Sequence, residues 1–208
     1  MASCQQGNES TRSPVLTASD SALHREWKAI NFRMIDTAIA QLQDGDIVLR
    51  LGADATSEML RGMNQKKQDF SHCGIVSLEA GQTVVYHSIG GEDNPDAHMR
   101  RDAARQFFHP LSNAGGGVYR VALMPAEKEV LLATVREWYK EGRGFDMDFD
   151  LATDTQLYCA EMVYKAFGKA CRKKLPFTQS VVGGFRYVAV DDLYTSGAGN
   201  LVWRFRFR

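Results

Sequence analysis

The sequence predicts an α+β fold in which an antiparallel sheet packs against helices. Apolar residues recur every three to four positions over 20–42 and again over 159–167, the pattern of helices that bury one face. Residues 70–78 and 83–88 are short apolar runs on either side of 80–82, a turn sequence that predicts a β-hairpin. Helical and hairpin patterns in one chain of this length indicate a single mixed domain.

The composition is that of a globular chain without a strong net charge. The length of 208 residues suits one domain, and 44% hydrophobic residues suffice for a sizeable core. The 25 basic and 25 acidic residues cancel, which argues against a nucleic-acid partner, because non-specific binding to nucleic acid needs a basic surface. The sequence has no run of roughly 18 or more apolar residues, so it predicts no spanning helix.

Residues 1–19 differ from the rest of the chain. They are rich in Ser, Thr, Asn and Gln and predict a disordered leader, which leaves 20–208 as the folded domain. Within the leader, Ala2-Ser3-Cys4 resembles the end of a bacterial lipoprotein signal, but the basic and apolar segments that precede such a cysteine are missing. Two alternatives stay open: a lipid anchor on Cys4 at the cell envelope, or a chance match in a cytoplasmic protein.

The other elements follow from their start and stop signals. Ser19 or Asp20 can cap the first helix. Turn-forming residues over 90–117 predict a long excursion, of a length typical of lids and binding walls. The remaining predicted elements are a strand at 47–49, a helix at 56–63, a strand at 118–123, a helix at 125–141, a strand at 186–190, a short helix from 191 and an edge strand at 202–207.

The helix at 159–167 places a cysteine in its first turn. Asp154 and Thr155 precede Cys159 and can cap the helix, and Gly168 can end it. Unpaired N–H groups and the positive end of the helix dipole stabilise an anion there, so a thiol at that place has a lowered pKa and more nucleophilic thiolate. The alternative is a small buried apolar residue, the commoner role of a cysteine on an apolar helix face.

A base for this thiol has to come from another element. His72 begins the first hairpin strand and His87 ends the second, so an antiparallel pairing makes the two imidazoles neighbours. A histidine pair on a hairpin is often incidental and establishes no site alone. Cys73 is expected to point to the strand face opposite His72, and Glu161 to point away from Cys159 in a structural role.

Four short motifs, taken together and in this order, resemble a known family. They are Gly45-Asp46-Ile47-Val48, Phe70-Ser71-His72-Cys73-Gly74-Ile75-Val76, Phe145-Asp146-x-x-Phe149-Asp150 and Tyr158-Cys159-Ala160-Glu161-Met162-Val163. The family is that of the YiiX/YaeF-like permuted papain-like amidases of the NlpC superfamily, and the likeness covers about residues 44 to 194. It implies that 20–208 is one circularly permuted papain-like (NlpC-type) catalytic domain with the nucleophile at a helix N-terminus.

The resemblance also implies roles for individual residues. Cys159 falls at the nucleophile, His72 at its base, and His87 at the third residue, which orients the base. The Tyr158 hydroxyl falls at the second oxyanion donor, beside the Cys159 N–H. Two departures are Ala160, where the family usually has serine, and His87, where close relatives often have glutamate. The related lecithin retinol acyltransferase group uses His, His and Cys in this order, which keeps an acyltransferase open.

The expected function is that of a thiol hydrolase, a cysteine amidase or peptidase that cleaves a cell-wall peptide or an N-acyl amino acid through a thioester. A lipid acyltransferase or phospholipase with the same triad is the first alternative, and a catalytically inactive binding module is the second. A zinc site built from His72, His87 and Cys159 is a further alternative. The resemblance implies no metal or cofactor, and the four cysteines lack the C-x-x-C spacing of a structural zinc site.

Overall fold

The computed structural model describes residues 18–90, 97–172, 174 and 177–207, which form a six-stranded sheet with helices on both faces and a separate two-stranded sheet. In chain order the elements are α1 (Ala18–Ile39), β1 (Ile47–Gly52), α2 (Ala55–Gly62), β2 (His72–Glu79), β3 (Gln82–His87), β4 (Arg100–Ala103), α3 (Ala104–Phe107), β5 (Asn113–Val121), α4 (Pro125–Lys140), α5 (Cys159–Ala170), β6 (Ser180–Val182), β7 (Phe185–Tyr187), α6 (Val190–Tyr194) and β8 (Gly199–Arg206). Cys4 lies outside the described residues, and α1 begins within the expected leader. None of the described helices is long and apolar enough to cross a membrane.

The large sheet is antiparallel throughout, in the order β4-β3-β2-β1-β5-β8. Its strands β2 and β3 form the predicted hairpin, in which Glu79 pairs with Gln82 across the turn. Ala80 and Gly81, the two turn residues, have φ angles of 46° and 80°, as a tight hairpin turn between twisted strands requires. The α+β class with an antiparallel sheet packed against helices is therefore confirmed.

Three successive glycines, Gly115, Gly116 and Gly117, lie inside β5, although the sequence predicts a loop there. A Cβ on Gly116 would lie 2.7 Å from Cε1 of Phe108, and a Cβ on Gly117 would lie 2.8 Å from Cζ of Phe70. These glycines therefore let aromatic rings approach both faces of the strand, which is a packing requirement and not a turn signal.

Two more expectations differ from the structure. The excursion predicted over 90–117, with a short helix expected near 101–107, does contain the helix α3, but it also contains a strand, β4, which extends the sheet beyond the hairpin. The strand predicted at 186–190 is shorter, because β7 ends at Tyr187 and α6 begins at Val190. In both places the element is only three or four residues long, and periodicity gives little information over so few positions.

Side chains alternate along β2, so neighbouring residues enter different cores. Cys73 and Ile75 belong to the core that α4 and α5 cover, whereas Val76 belongs to the core beneath α1 and α3. His72 lies on the Val76 side, where the centre of its ring is 5.7 Å from that of Phe107, a member of that second core. This alternation decides which side chain of the His72-Cys73 pair faces α5.

Gly74→Ala should destabilise the fold. A Cβ at this position would lie 2.5 Å from Cγ1 of Val85 and 2.8 Å from the carbonyl oxygen of Tyr86. Because a backbone oxygen in a paired strand cannot move aside cheaply, we expect a loss of about 1–3 kcal/mol in the free energy of unfolding, measured with urea. The matched control is Gly62→Ala, where nothing lies within 4 Å of the new Cβ. Equal stability of the two variants would contradict the close packing at Gly74.

Candidate active site

Cys159 is the first residue of α5, and the apolar stripe of that helix holds it against the sheet. The buried members of the stripe are Cys159, Met162, Val163, Ala166 and Phe167. At the helix start, the Ala160 N–H donates a hydrogen bond to the Cys159 sulfur, and the Cys73 N–H donates another from β2. Burial of one helix face therefore aims the sulfur at the backbone of the neighbouring strand.

The side chain that forms a hydrogen bond with this sulfur is a second thiol, that of Cys73. Its S–H donates to Cys159, and this contact is the largest cause of the lowered pKa of the Cys159 thiol. The pKa of Cys73 is raised well above its usual value, first by burial and then by its contact with Cys159. The pair therefore has one sulfur that favours the thiolate and one that keeps its proton.

A small cavity of about 20 Å³ adjoins Cys159. Its wall includes Tyr158, Ser71, Leu60, Met63, Phe149 and Val190. A volume of this size has room for roughly one water molecule. Leu60 and Met63 come from α2 and its end, and α2 has no buried side chain of its own. The cavity is thus mainly apolar and is closed on one side by a lightly anchored helix.

His72 and His87 are neighbours, as the hairpin predicts. His72 Nε2 lies 2.9 Å from His87 Nδ1, and His87 Nε2 lies 3.1 Å from Oδ2 of Asp102 on β4. Asp102 also forms an ion pair with Arg100 at 3.0 Å. The chain His72–His87–Asp102 therefore ends on a carboxylate that a guanidinium stabilises.

This chain of hydrogen bonds assigns the protons of the two histidines. Burial, its largest cause, lowers the pKa of His72 well below the usual range, and burial likewise lowers the pKa of His87. Both rings are therefore neutral near pH 7. The pKa of Asp102 is lowered, so its carboxylate accepts the Nε2–H of His87, and His87 Nδ1 must then accept from His72 Nε2–H. His72 Nδ1 is left without a proton and has the character of a base.

The structure does not bring His72 into hydrogen-bond contact with Cys159. Among the described residues, the hydrogen bonds of the Cys159 sulfur come from Cys73 and Ala160, and the described contacts of His72 are with His87 and Phe107. Cys73 does point to the strand face opposite His72, as expected, but that face is the one covered by α5. The expected contact fails because the strand register, which the sequence does not show, decides which face meets the helix.

Tyr158 lies at the wall of the cavity. Its hydroxyl oxygen accepts the Val188 N–H at 2.8 Å, and its ring centre is 4.8 Å from that of Phe149. Burial, the main cause, raises the pKa of Tyr158, so the phenol keeps its proton. The hydroxyl hydrogen is therefore the group that this side chain can offer to an oxyanion.

Glu161 is fully buried and has a structural role. One oxygen accepts the Tyr158 N–H at 3.1 Å, closing the helix start, and the other forms an ion pair with Lys165 at 2.9 Å. Burial raises the pKa of Glu161 to about 7 even though Lys165 lowers it. Glu161 therefore caps the N-terminus of α5 with a carboxyl group that can titrate.

Sequence reasoning missed two residues of this site, Cys73 and Asp102. Cys73 alternates with His72 along β2, and no signal in the sequence shows which of the two faces α5. Asp102 lies on β4, in the stretch expected to be an excursion without strands. An alternating pattern is absent from Arg100–Ala103, whose side chains are mostly polar and half-buried, so only the pairing with β3 identifies the strand.

No protein-family model and no curated protein matches this chain. Among solved structures, the crystal structure of metalloprotein yiiX from Escherichia coli O157:H7 (DUF1105) is similar, with a TM-score of 0.66 and 17% sequence identity. The match covers 80% of this chain and 99% of that one. At this identity the likeness shows a shared fold. The chain therefore has a YiiX-like α+β fold.

A metal site does not fit the part of the chain that the structure describes. No group of three or more His, Cys, Asp or Glu side chains there is close enough to hold an ion. The set His72, His87 and Cys159, considered as zinc ligands, is divided between the two faces of the sheet. The described residues thus offer no donor set for the metal that the description of yiiX implies.

Cys73→Ala should slow alkylation of Cys159. Loss of the thiol donor raises the pKa of Cys159 towards its usual value, and one pKa unit costs about tenfold in thiolate below the pKa. We expect iodoacetamide to react about threefold to tenfold more slowly at pH 7, with an unchanged plateau at high pH. Cys73→Ser, which keeps a donor, is the matched control and should stay near wild type. A slower rate at every pH would indicate lost access and would contradict this account.

The pH dependence of stability should report the buried carboxyl of Glu161. Its folded-state pKa is about 7 against an ordinary 4.5, so its stabilising contribution is complete below about pH 4.5 and is lost as pH rises through 7. Glu161→Gln cannot titrate, so its stability relative to wild type should increase between pH 5 and pH 8. Urea unfolding at the two pH values measures this. If the stability difference between Glu161→Gln and wild type is the same at pH 5 and pH 8, Glu161 is ionised at both pH values.

Proposed function

We propose that the chain is a cysteine hydrolase that cleaves an amide bond, with Cys159 as the nucleophile. The observation that carries this proposal is the Cys159 thiol, which has a lowered pKa at the start of a 12-residue helix and lines a cavity. A thiolate in this position attacks an acyl carbonyl and forms a thioester, which water then hydrolyses. The YiiX-like fold is consistent with this chemistry and does not by itself supply it.

The oxyanion that forms on attack needs donors aimed at it. The N–H groups at the start of α5 are one set, and the Tyr158 hydroxyl hydrogen is the second, since its oxygen is already occupied by the Val188 N–H. Tyr158 is the residue next to Cys159 and shares its cavity. We therefore propose Tyr158 as the side-chain donor.

His72 supplies the proton chemistry of the proposed reaction. Its Nδ1 carries no proton, and His87 with Asp102 stabilises the imidazolium that forms when Nδ1 takes one. Departure of an amine requires a proton, so amide cleavage needs such a group. In this structure the sheet separates His72 from Cys159, so the proposal requires the start of β2, where His72 lies, to rearrange when substrate binds.

The cavity favours a small acyl group over a lipid chain. Because its volume of about 20 Å³ has room for roughly one water molecule, any acyl substrate requires Leu60 and Met63 to move aside, and a compact acyl group requires the smaller movement. An N-acyl amino acid or a short cell-wall peptide places only a compact group beside the sulfur. We therefore propose these as the substrate class, ahead of the lipid acyltransferase or phospholipase alternative.

A catalytically inactive binding module is the second candidate function. It is favoured by one observation, the separation of His72 from Cys159 by the sheet. A thiolate without an acid at hand can bind or be acylated by an activated acyl group, but it protonates an amine leaving group poorly. The two candidates therefore differ in turnover of unactivated amides.

Acyl-enzyme trapping should separate these candidates. Wild-type protein is mixed with N-acyl amino acids and short peptide amides, quenched in acid and analysed by mass spectrometry. We expect an acyl adduct on Cys159 that hydroxylamine removes, and no adduct in Cys159→Ala. His72→Ala should lower turnover about 10²-fold or more, the usual contribution of general acid–base catalysis.

The matched control is His24→Ala, because His24 lies exposed on α1 and stacks only on Trp27 among the rings described. It should keep wild-type turnover. Binding of a peptide with the same affinity by wild type and Cys159→Ala, without any adduct or product, would establish the binding module. Turnover that survives Cys159→Ala would show that the nucleophile is another residue.

A further inference from the structure

Two thiols from distant parts of the chain meet at the start of α5. Cys73 is on β2 and Cys159 begins α5, and both are free, buried and in the same core. We propose that Cys73 and Cys159 form a reversible dithiol–disulfide site that hydroperoxides oxidise, in which Cys159 is oxidised first and Cys73 resolves the product. This site shares Cys159 with the proposed amide chemistry, but its oxidation does not depend on that chemistry.

Access to the two sulfurs is unequal, and it sets the order of the reaction. Cys159 is 6% exposed and lines the cavity, whereas Cys73 is completely buried. The cavity admits a molecule about the size of water, and hydrogen peroxide is only slightly larger. A small peroxide therefore reaches Cys159 first and has no separate path to Cys73.

Protonation favours the same order. Thiolates react with peroxides and thiols do not, and the donors around Cys159 lower its pKa while burial raises that of Cys73. Cys73 is already the side-chain hydrogen-bond partner of the Cys159 sulfur. The resolving thiol therefore sits where the sulfenic acid forms, which is the usual arrangement of redox-sensitive cysteine pairs.

The reaction balances with a hydroperoxide as the oxidant. The Cys159 thiolate attacks the peroxide O–O bond, which breaks and releases an alkoxide or hydroxide, and Cys159 becomes a sulfenic acid. Cys73 then attacks the Cys159 sulfur. A sulfur–sulfur bond forms, the S–OH bond breaks, and one water leaves with the proton of the Cys73 thiol. The two sulfurs together lose two electrons, which the peroxide accepts.

The disulfide would remove the thiolate from the cavity. In the oxidised chain Cys159 has no free thiol for alkylation, and a thiol reductant restores that thiol. Cys171 cannot replace Cys73 in this reaction, because it lies at the other end of α5, at the C-cap. The pair therefore protects Cys159 from irreversible oxidation to the sulfinic acid, which occurs when no resolving thiol is near.

The test uses the full chain with Cys4→Ser and Cys171→Ser, so that only the two proposed partners remain. Treatment with one equivalent of hydrogen peroxide should lower the intact mass by two hydrogen atoms, and dithiothreitol should restore it. Peptide mapping without reduction should link the peptides of Cys73 and Cys159. The Cys73→Ser variant of this chain should instead give a Cys159 sulfenic acid, which dimedone labels.

Two results would overturn the proposal. One is direct oxidation of Cys159 to the sulfinic acid while Cys73 stays a free thiol. The other is a chain whose two thiols both survive peroxide while Cys159 still reacts with iodoacetamide. Both results are measured on the chain that keeps Cys73, so they remain decisive even if Cys73→Ser folds poorly. Because no substrate is used, failure of the amide hydrolysis would leave this test unchanged.

Discussion

The alternation of side chains along β2 is the constraint on which the site depends. A strand turns successive side chains to opposite faces, so His72 and Cys73 cannot both face α5. The hydrophobic cores settle the choice: Ile75 packs beneath α5, and two residues before it Cys73 does the same. A register slip of one residue would exchange the two side chains and with them the chemistry beside Cys159.

This constraint separates two kinds of electrostatic environment across one sheet. On the α5 face, N–H and S–H donors lower the pKa of Cys159 without a charged partner in hydrogen-bond contact. On the other face, burial keeps His72 and His87 neutral, and Asp102 orders their protons. The thiolate and His72 are thus each prepared by their own surroundings on opposite faces of the sheet, and the proposed reaction requires the start of β2 to rearrange so that they meet.

The likeness to yiiX fits this picture at the level of the fold. At 17% identity the likeness is one of fold, which depends on the apolar patterning of strands and helices. The chemistry depends on single positions, such as Cys73 and His87, that packing alone does not specify. Fold and proposed function therefore rest on different residues in this chain.

The sequence by itself determined the class of the fold, the hairpin that makes His72 and His87 neighbours, and the position of Cys159 at a helix start. These follow from local periodicity and turn chemistry, which act over a few residues. Only the tertiary structure decided that Cys73 meets Cys159, that Asp102 completes the histidine chain, and that Gly116 and Gly117 serve aromatic packing. Each of these depends on which strand pairs with which and on which face a helix covers. Those are contacts between residues far apart in the chain, and no local pattern encodes them.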